Sequence, residues 1–419
     1  MKGKQNKINR RNFLKTIGAA GLASVFASAK AKADSNEPNV SEAQEAEFPQ
    51  VPRRKLGKTG VDVSCLSLGT NRLDNQIILR NALRWGVNYW DTANSYVGGN
   101  SEREIGKLLS KSPELRKQLF LVTKASGART VTDVEERLQS SLKKMNTEYI
   151  DLYYGVHGLS DPARLTDELK QWAESAKKRN LIRFFGFSTH KNMPQNLTAA
   201  AKLGWIDAIM TTYNFRVMQD PEMASAVEAC HKAGIGLIAM KVIALSIQLR
   251  RQMEAGQKID TEEDKKLIRH FLQQGFTEEQ AKIKAVLQDE RFSSACVGMN
   301  SAALLTSNMA AVLDKTKLSQ DDMAVFAEYA AATCSGYCTG CTHICDSALP
   351  HMPYVSDIMR YLMYYNSYGD KDKARQLFAQ IPLKVRNKLL ITDYSTAEAR
   401  CPQHMPIGKL VAEALGKLA

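Results

Sequence analysis

At 419 residues with 44% hydrophobic content, the chain can bury one large core and a smaller one beside it. Most of its formal net charge of +13 comes from residues 1–33, which carry six Lys, two Arg and no acid, so the remainder is too mildly basic to mark a nucleic-acid binder. No apolar run approaches the roughly 20 residues of a membrane span, and no arginine stripe is interleaved with aromatics.

Asn9-Arg10-Arg11-Asn12-Phe13-Leu14-Lys15 is followed by the weakly apolar stretch Thr16 to Ala29, then by Ala31-Lys32-Ala33. This resembles a twin-arginine (Tat) export signal with an Ala-x-Ala cleavage site. The resemblance implies that the Tat machinery exports the folded protein to the periplasm, together with any cofactor inserted in the cytoplasm. A basic, disordered N-terminus is the plainer alternative. Residues 34–52 hold five acids, three Pro and no base, the composition of a flexible linker.

From Arg53 the pattern becomes regular. Gly57-Lys58-Thr59-Gly60 punctuates a hairpin, and eight short apolar runs follow: Cys65–Gly69, Val87–Trp90, Leu119–Thr123, Ile150–Val156, Ile182–Phe187, Ile206–Thr211, Gly234–Met240 and Ser293–Val297. Amphipathic helical patterns separate them. Ser101 with Glu104, and Thr132 with Glu135, have the spacing of capping boxes opening two of those helices. Eight strands alternating with helices predict a (β/α)8 TIM barrel over residues 53–316, with an enlarged segment between the seventh and eighth strands. A doubly wound sheet is the second choice, but no Gly-x-Gly-x-x-Gly follows the first strand.

A barrel brings residues beyond its strand C-termini to one rim. Asp91 follows the second strand, Lys124 ends the third and His157 ends the fourth, with Tyr96 in the loop beside them. Each alone is a cap, a solvated charge or a packed ring. Together, in this order, Asp91, Tyr96, Lys124 and His157 resemble the catalytic tetrad of the aldo/keto reductases, and the hairpin resembles the lid under their barrel. The resemblance implies hydride exchange between a small carbonyl or alcohol and NADP or NAD. In it, Tyr96 is the general acid, Lys124 lowers the Tyr96 pKa, Asp91 holds Lys124, and His157 orients the substrate oxygen.

The same resemblance implies that Ser188, in Gly186-Phe187-Ser188-Thr189-His190, holds the carboxamide and that Tyr213, beside Asn214, stacks on nicotinamide. It also implies an adenosine-phosphate arm at Gly298-Met299-Asn300-Ser301 and Asn308. Two positions depart from the family pattern: Met210 replaces the usual Gln and Leu304 replaces a frequent Arg, leaving NADP versus NAD open. Asn71-Arg72 and Arg250-Arg251, after the first and seventh strands, are candidate contacts to an acidic or sugar-like substrate.

Five of eight cysteines follow residue 330: Cys334, Cys338, Cys341, Cys345 and Cys401, the last preceding Pro402. This resembles the ferredoxin-like C-terminal extension of one reductase branch, here over residues 317–419. The extension normally carries two four-cysteine motifs. The spacing here is C-x2-C-x3-C, and Ile391 to Arg400 holds none of the three cysteines expected before the final one, so at most one 4Fe-4S cluster is implied, on Cys338, Cys341, Cys345 and Cys401 with Cys334 in reserve. Structural zinc and disulfides are the alternatives. Cys65, Cys230 and Cys296 read as inert core thiols. Helices are expected at Ser319–Ala332, Val355–Tyr365, Lys371–Ala379 and Ile407–Leu418. Two functions compete: an exported reductase, passing electrons through the cluster to a partner, and a reductase-like barrel kept as a binding module.

Overall fold

The computed structural model describes residues 48–73, 76–245 and 261–419. The export signal, most of the linker and Arg250-Arg251 lie outside the described residues. Strands β1 (Arg53–Lys55) and β2 (Asp62–Ser64) pair antiparallel, Arg53 opposite Ser64. The turn between them runs through Gly57, at φ 50°, where a Cβ would stand 2.4 Å from the Gly234 carbonyl oxygen. Only glycine permits that approach, and it lets Lys58 N–H donate to Gly234 O at 2.7 Å. Leu56 and Val63 are thereby sealed into the barrel interior beside Tyr89, Phe120, Val122, Leu152, Tyr154, Met210 and Ile238. The hairpin is a floor whose apolar side chains complete the core.

Eight parallel strands then close the barrel: β3 (Leu66–Gly69), β4 (Tyr89–Asp91), β5 (Phe120–Lys124), β6 (Ile150–His157), β7 (Ile182–Thr189), β8 (Ala208–Thr212), β9 (Gly236–Met240) and β10 (Phe292–Gly298), with β10 pairing back to β3. Each coincides with an expected run to within two residues at its ends. Strands buried on both faces read as continuous apolar runs, which is why the runs stand out. The outer layer holds α1 (Ile77–Arg84), α2 (Asn100–Lys111), α3 (Val131–Met145), α4 (Asp167–Lys178), α5 (Met193–Ala201), α6 (Pro221–Lys232), α7 (Glu262–Gln273), α8 (Glu278–Gln288) and α9 (Ala302–Leu313). The described part of the enlarged segment before β10 supplies α7 and α8.

Both capping boxes expected from spacing are corrected. Ser101 lies inside α2, with its hydroxyl 2.8 Å from Thr92 Oγ1 and donating to Thr70 Oγ1 at 2.7 Å, so it ties the helix to two strand ends. In α3 the box is Thr130 with Asp133, two residues earlier than predicted. Thr130 and Asp133 offer the same hydroxyl and acid at the same spacing, and the earlier register brings two more residues into the helix.

The chain continues through α10 (Gln320–Ala332), α11 (Thr342–Ala348), α12 (Val355–Asn366), α13 (Lys371–Ala379), α14 (Leu383–Arg386), α15 (Ser395–Arg400) and α16 (Ile407–Leu418). Phe326 and Tyr329 of α10 pack with Leu267, Phe271 and Phe215, welding that helix to the barrel. Beyond it, Met352, Ile358, Leu362, Phe378, Leu410 and Val411 form a core of their own.

Helix α2 crosses α3 so closely that a Cβ on Gly106 would meet the Lys144 carbonyl oxygen at 2.1 Å. Gly106→Ala is expected to cost about 1–3 kcal/mol through overpacking, read as a lower urea midpoint at unchanged slope. Gly416→Ala in α16, where nothing lies within 4 Å, should leave stability equal or higher.

Candidate active site

Asp91, Lys124 and His157 are the last residues of β4, β5 and β6, three neighbours in one parallel barrel, and so stand side by side at its C-terminal rim. Lys124 is 1% exposed. An ammonium that deep needs every donor satisfied, and this one has its three: Nζ lies 2.6 Å from both Asp91 carboxylate oxygens and 2.7 Å from Thr92 O. Past β4, Val97 (φ 50°), Gly98 and Gly99 run through left-handed backbone. Val97 stores strain there, and the kink lies directly after Tyr96. The Tyr96 ring centre lies 4.9 Å from Lys124 Nζ and 6.2 Å from the His157 ring. The four residues predicted from strand ends therefore form one cluster.

Its electrostatics differ from expectation at Tyr96. Burial, then the Asp91 charge, push the phenol well above its ordinary value, rather than Lys124 drawing it down. Loss of water around the buried ring is the larger cause, and the Asp91 charge adds to it. Burial also lifts the Asp91 carboxyl, against the pull of Lys124. His157 is pushed down to about 3 by burial and by the charges of Lys124, Lys373 and Lys241, so its ring is neutral. Its Nδ1 lies 2.6 Å from Ser126 Oγ, which itself accepts from Ser95 Oγ at 2.8 Å. With the Ser126 proton given to Nδ1, the imidazole carries its hydrogen on Nε2. Neither serine was legible as a partner, since only the folded loops bring them to His157.

The nucleotide residues divide. Ser188, on β7 in register with His157, accepts from Gly158 N–H and keeps its hydroxyl hydrogen for a further acceptor. Tyr213 stacks on Phe292 with ring centres 4.1 Å apart and donates its hydroxyl to Asp289. Asn214 donates to Lys241 O and Tyr337 Oη and receives Arg216 N–H. Asn308 is buried on α9, Met210 belongs to the barrel core, and Leu304 is exposed. Of these, Ser188 is the one whose strand position is in register with a residue of the cluster, His157.

The helices beyond the barrel also reach the rim. Lys373 Nζ of α13 lies 5.5 Å from the Tyr96 ring centre and 5.6 Å from that of Tyr364 in α12. Arg72 donates to Tyr368 O, and Lys191 pairs with Asp357 at 2.6 Å. Gly340, at φ 81°, sits where a Cβ would meet His190 O at 2.2 Å. No local pattern announces these contacts, which join segments far apart in sequence.

All eight cysteines are free thiols, so the disulfide alternative is not adopted. Cys338, Cys341, Cys345 and Cys401 line one cavity, with Met359, Met405 and Ile407 among its walls. Cys334 lies apart, near Arg216. Burial, then mutual repulsion, pushes Cys338 and Cys345 up to about 12. Among the described residues, no group of three or more His, Cys, Asp or Glu side chains is arranged to hold a metal ion as it stands. Cys65 and Cys230 are buried and Cys296 nearly so.

A closed parallel barrel with a phenol, a buried Lys–Asp pair and a neutral imidazole on its rim defines an oxidoreductase of the (β/α)8 class. Residues 66–330 match the aldo/keto reductase family, and the chain belongs to that family. It is 22% identical to L-galactose dehydrogenase of Arabidopsis thaliana over 65% of this chain and 91% of that one. Against the uncharacterized oxidoreductase YqkF of Bacillus subtilis, identity is 31%, but the match spans only 33% of this chain and 48% of that protein. The fold matches aldo-keto reductase AKR11C1 of Bacillus halodurans at TM-score 0.54 and 23% identity, over 67% of this chain and 96% of that one. It equally matches a thermostable aldo-keto reductase solved with epalrestat, at TM-score 0.54 and 25% identity, over 67% and 100%.

Two measurements check the rim. The His157 Cε1–H resonance is expected not to titrate between about pH 5 and 9. Because the folded value lies below that of a free imidazole, stability carried by the neutral ring is complete above about pH 6.5 and drains away as pH falls towards 3. Asp91→Asn leaves Lys124 buried without its counter-charge and should cost about 3–5 kcal/mol in denaturant unfolding.

Proposed function

We propose that the protein interconverts a carbonyl and an alcohol using NADP or NAD, with Tyr96 moving the proton at the substrate oxygen. The observation that carries this reading is the convergence of Tyr96, Lys124 with Asp91, and His157 on one rim. A phenol held protonated by burial is ready to donate as the carbonyl oxygen gains charge. The Lys124 ammonium at its ring face stabilises the phenolate that donation leaves. Asp91 fixes that ammonium in place. Neutral His157, its Nδ1 occupied by Ser126, offers Nε2–H to the same oxygen and orients it. A nicotinamide cofactor, when bound, supplies the hydride or receives it. Ser188 suits it, with a spare hydroxyl hydrogen beside His157, for the carboxamide. Tyr213 and Asn214 are engaged within the protein, so the choice of nucleotide rests on other residues. That engagement, with Met210 and Leu304 in place of Gln and Arg, favours the second reading, a barrel that binds a partner without turnover.

The reading extends to the C-terminal cysteines, which we assign to one 4Fe-4S cluster serving an electron-transfer partner. Four thiols from two distant segments surround one cavity, and such buried thiols stay protonated unless a cationic centre draws them to thiolate. A cubane presents a separate iron to each ligand, so it suits thiols that do not converge on a single ion, as zinc requires. The Arg10-Arg11 signal supports export of the loaded, folded chain to the periplasm by the Tat machinery.

Tyr96→Phe is expected to abolish turnover while NADPH or NADH still quenches protein fluorescence saturably. Unchanged turnover would overturn the assignment, and failure of the unaltered protein to bind either nucleotide would favour the binding module. For the cluster, anaerobically purified protein should carry about four irons and a broad visible absorption that Cys401→Ser removes. Zinc in place of iron would overturn that assignment.

A further inference from the structure

The helical extension brings to the rim one cation that the cluster of Asp91, Tyr96, Lys124 and His157 does not account for. Lys373 stands in α13, whose Ala374 and Phe378 are buried in the core of the extension. Its Nζ lies 5.5 Å from the centre of the Tyr96 ring and 5.6 Å from that of Tyr364 in α12, within reach of both phenols. Helix α12 is itself tied to the barrel, by Lys191 with Asp357 at 2.6 Å and by Arg360 Nη2, which donates to His190 O at 3.4 Å.

Two lysines therefore face Tyr96, and they differ in what else they hold. Lys124 has its three donors on the Asp91 carboxylate and Thr92 O. Lys373 is half-buried and, among the described residues, forms no ion pair. Proton donation leaves Tyr96 and Asp91 as two negative charges around the single positive charge of Lys124, where burial already works against a charged phenol. A buried charge without a partner is costly, and Lys373 is the other cation at that ring. An ammonium is drawn more strongly to a phenolate than to a neutral ring, so the contact gains strength as the proton leaves, the condition under which an interaction speeds a reaction. The same charge reaches His157, where with Lys124 and Lys241 it opposes protonation of the imidazole.

We propose that Lys373 is a positioning residue of the reductase site, an ammonium supplied by the C-terminal extension that stabilises Tyr96 as a phenolate once its proton has passed to the substrate oxygen. The inference rests on the reductase reading and deepens it. The carbonyl carbon takes the hydride that nicotinamide supplies, its oxygen takes the Tyr96 proton, and the negative charge left on the phenol is shared between Lys124 and Lys373. Besides Lys373, the groups facing Tyr96 are Asp91, Lys124, Tyr154, His157, Cys296 and Tyr364. Of these, Lys124 alone is positive, so loss of Lys373 disfavours the phenolate and raises the pH at which it forms.

The test places 3,5-difluorotyrosine at position 96 of the full chain, since its more acidic phenol ionises at a lower pH than tyrosine, and follows its fluorine resonance against pH. In Lys373→Met the midpoint should rise by about one pH unit or more, while Lys373→Arg should keep it near that of the chain with Lys373. With Tyr96 restored, and with 4-nitrobenzaldehyde and NADPH or NADH, Lys373→Met should lower kcat roughly tenfold at little changed KM, and Lys373→Arg should recover it. A fluorine midpoint that Lys373→Met leaves in place, or that Lys373→Arg raises equally, would overturn the proposal. So would a variant whose only kinetic defect is a raised KM, or a lowered urea midpoint without a fluorine shift, which would mark Lys373 as a clamp on the extension. Absence of turnover in the unaltered protein would tell against the reductase reading alone, because the fluorine midpoint reports on Lys373 and Tyr96 without any reaction.

Discussion

The structure turns on a lysine that water cannot reach. Lys124 remains an ammonium in the barrel only because Asp91 and the Thr92 carbonyl surround it, and both belong to the end of the neighbouring strand. That requirement reaches outward. β4 and β5 must keep their register, with Asp91 opposite Val122, and the core beneath them must be full enough to exclude solvent. The hairpin floor meets that need by driving Leu56 and Val63 up into the barrel. The Tyr96 loop then packs its ring over the ammonium at the expense of strain in Val97. Packing at one end of the barrel therefore sustains the electrostatics of the other.

What could be read from residues alone follows the same physics. The eight strands were legible because strands covered on both faces leave near-unbroken apolar runs, and the tetrad was legible because parallel strands end on one rim. Signals depending on local alternatives were less secure. Thr130 and Thr132 each precede an acid by three positions, and only the folded helix selects the first. The direction of the Tyr96 shift was misjudged from proximity to Lys124, because proximity says nothing of how deeply the phenol is buried or of the Asp91 charge beside it. Tyr213 illustrates a further limit, since its neighbourhood to β8 was right while its side chain is spent on Phe292 and Asp289. Ser126, Lys373, Lys241 and Arg360 left no trace at all, as each acquires meaning only from segments distant in the chain.

The cysteine-bearing extension illustrates how composition and topology divide the work. Spacing identified which thiols could act together, and the helices Val355–Asn366 and Ile407–Leu418 emerged from periodicity nearly to the residue. That the first of these helices, with the loop before it, seats against the barrel rim was not encoded in any pattern. It rests on contacts such as Lys191 with Asp357, Asn214 with Tyr337, and Gly340 against His190. The thiol cavity shares Cys338, Thr339, Ser356 and Met359 with a second small space bounded by His190 and Thr212 of the barrel.

The close seating of Gly340 on the His190 carbonyl also bears on timing. A ribosome releases the barrel strands before the residues that roof them, so a partly synthesised chain holds Asp91, Tyr96, Lys124 and His157 under an open mouth. Lys373 and Arg360 follow much later in the chain, and the rim has its full set of charges only with them in place. The four residues of the rim thus come from the barrel alone, while part of the charge around them comes from residues far later in the chain.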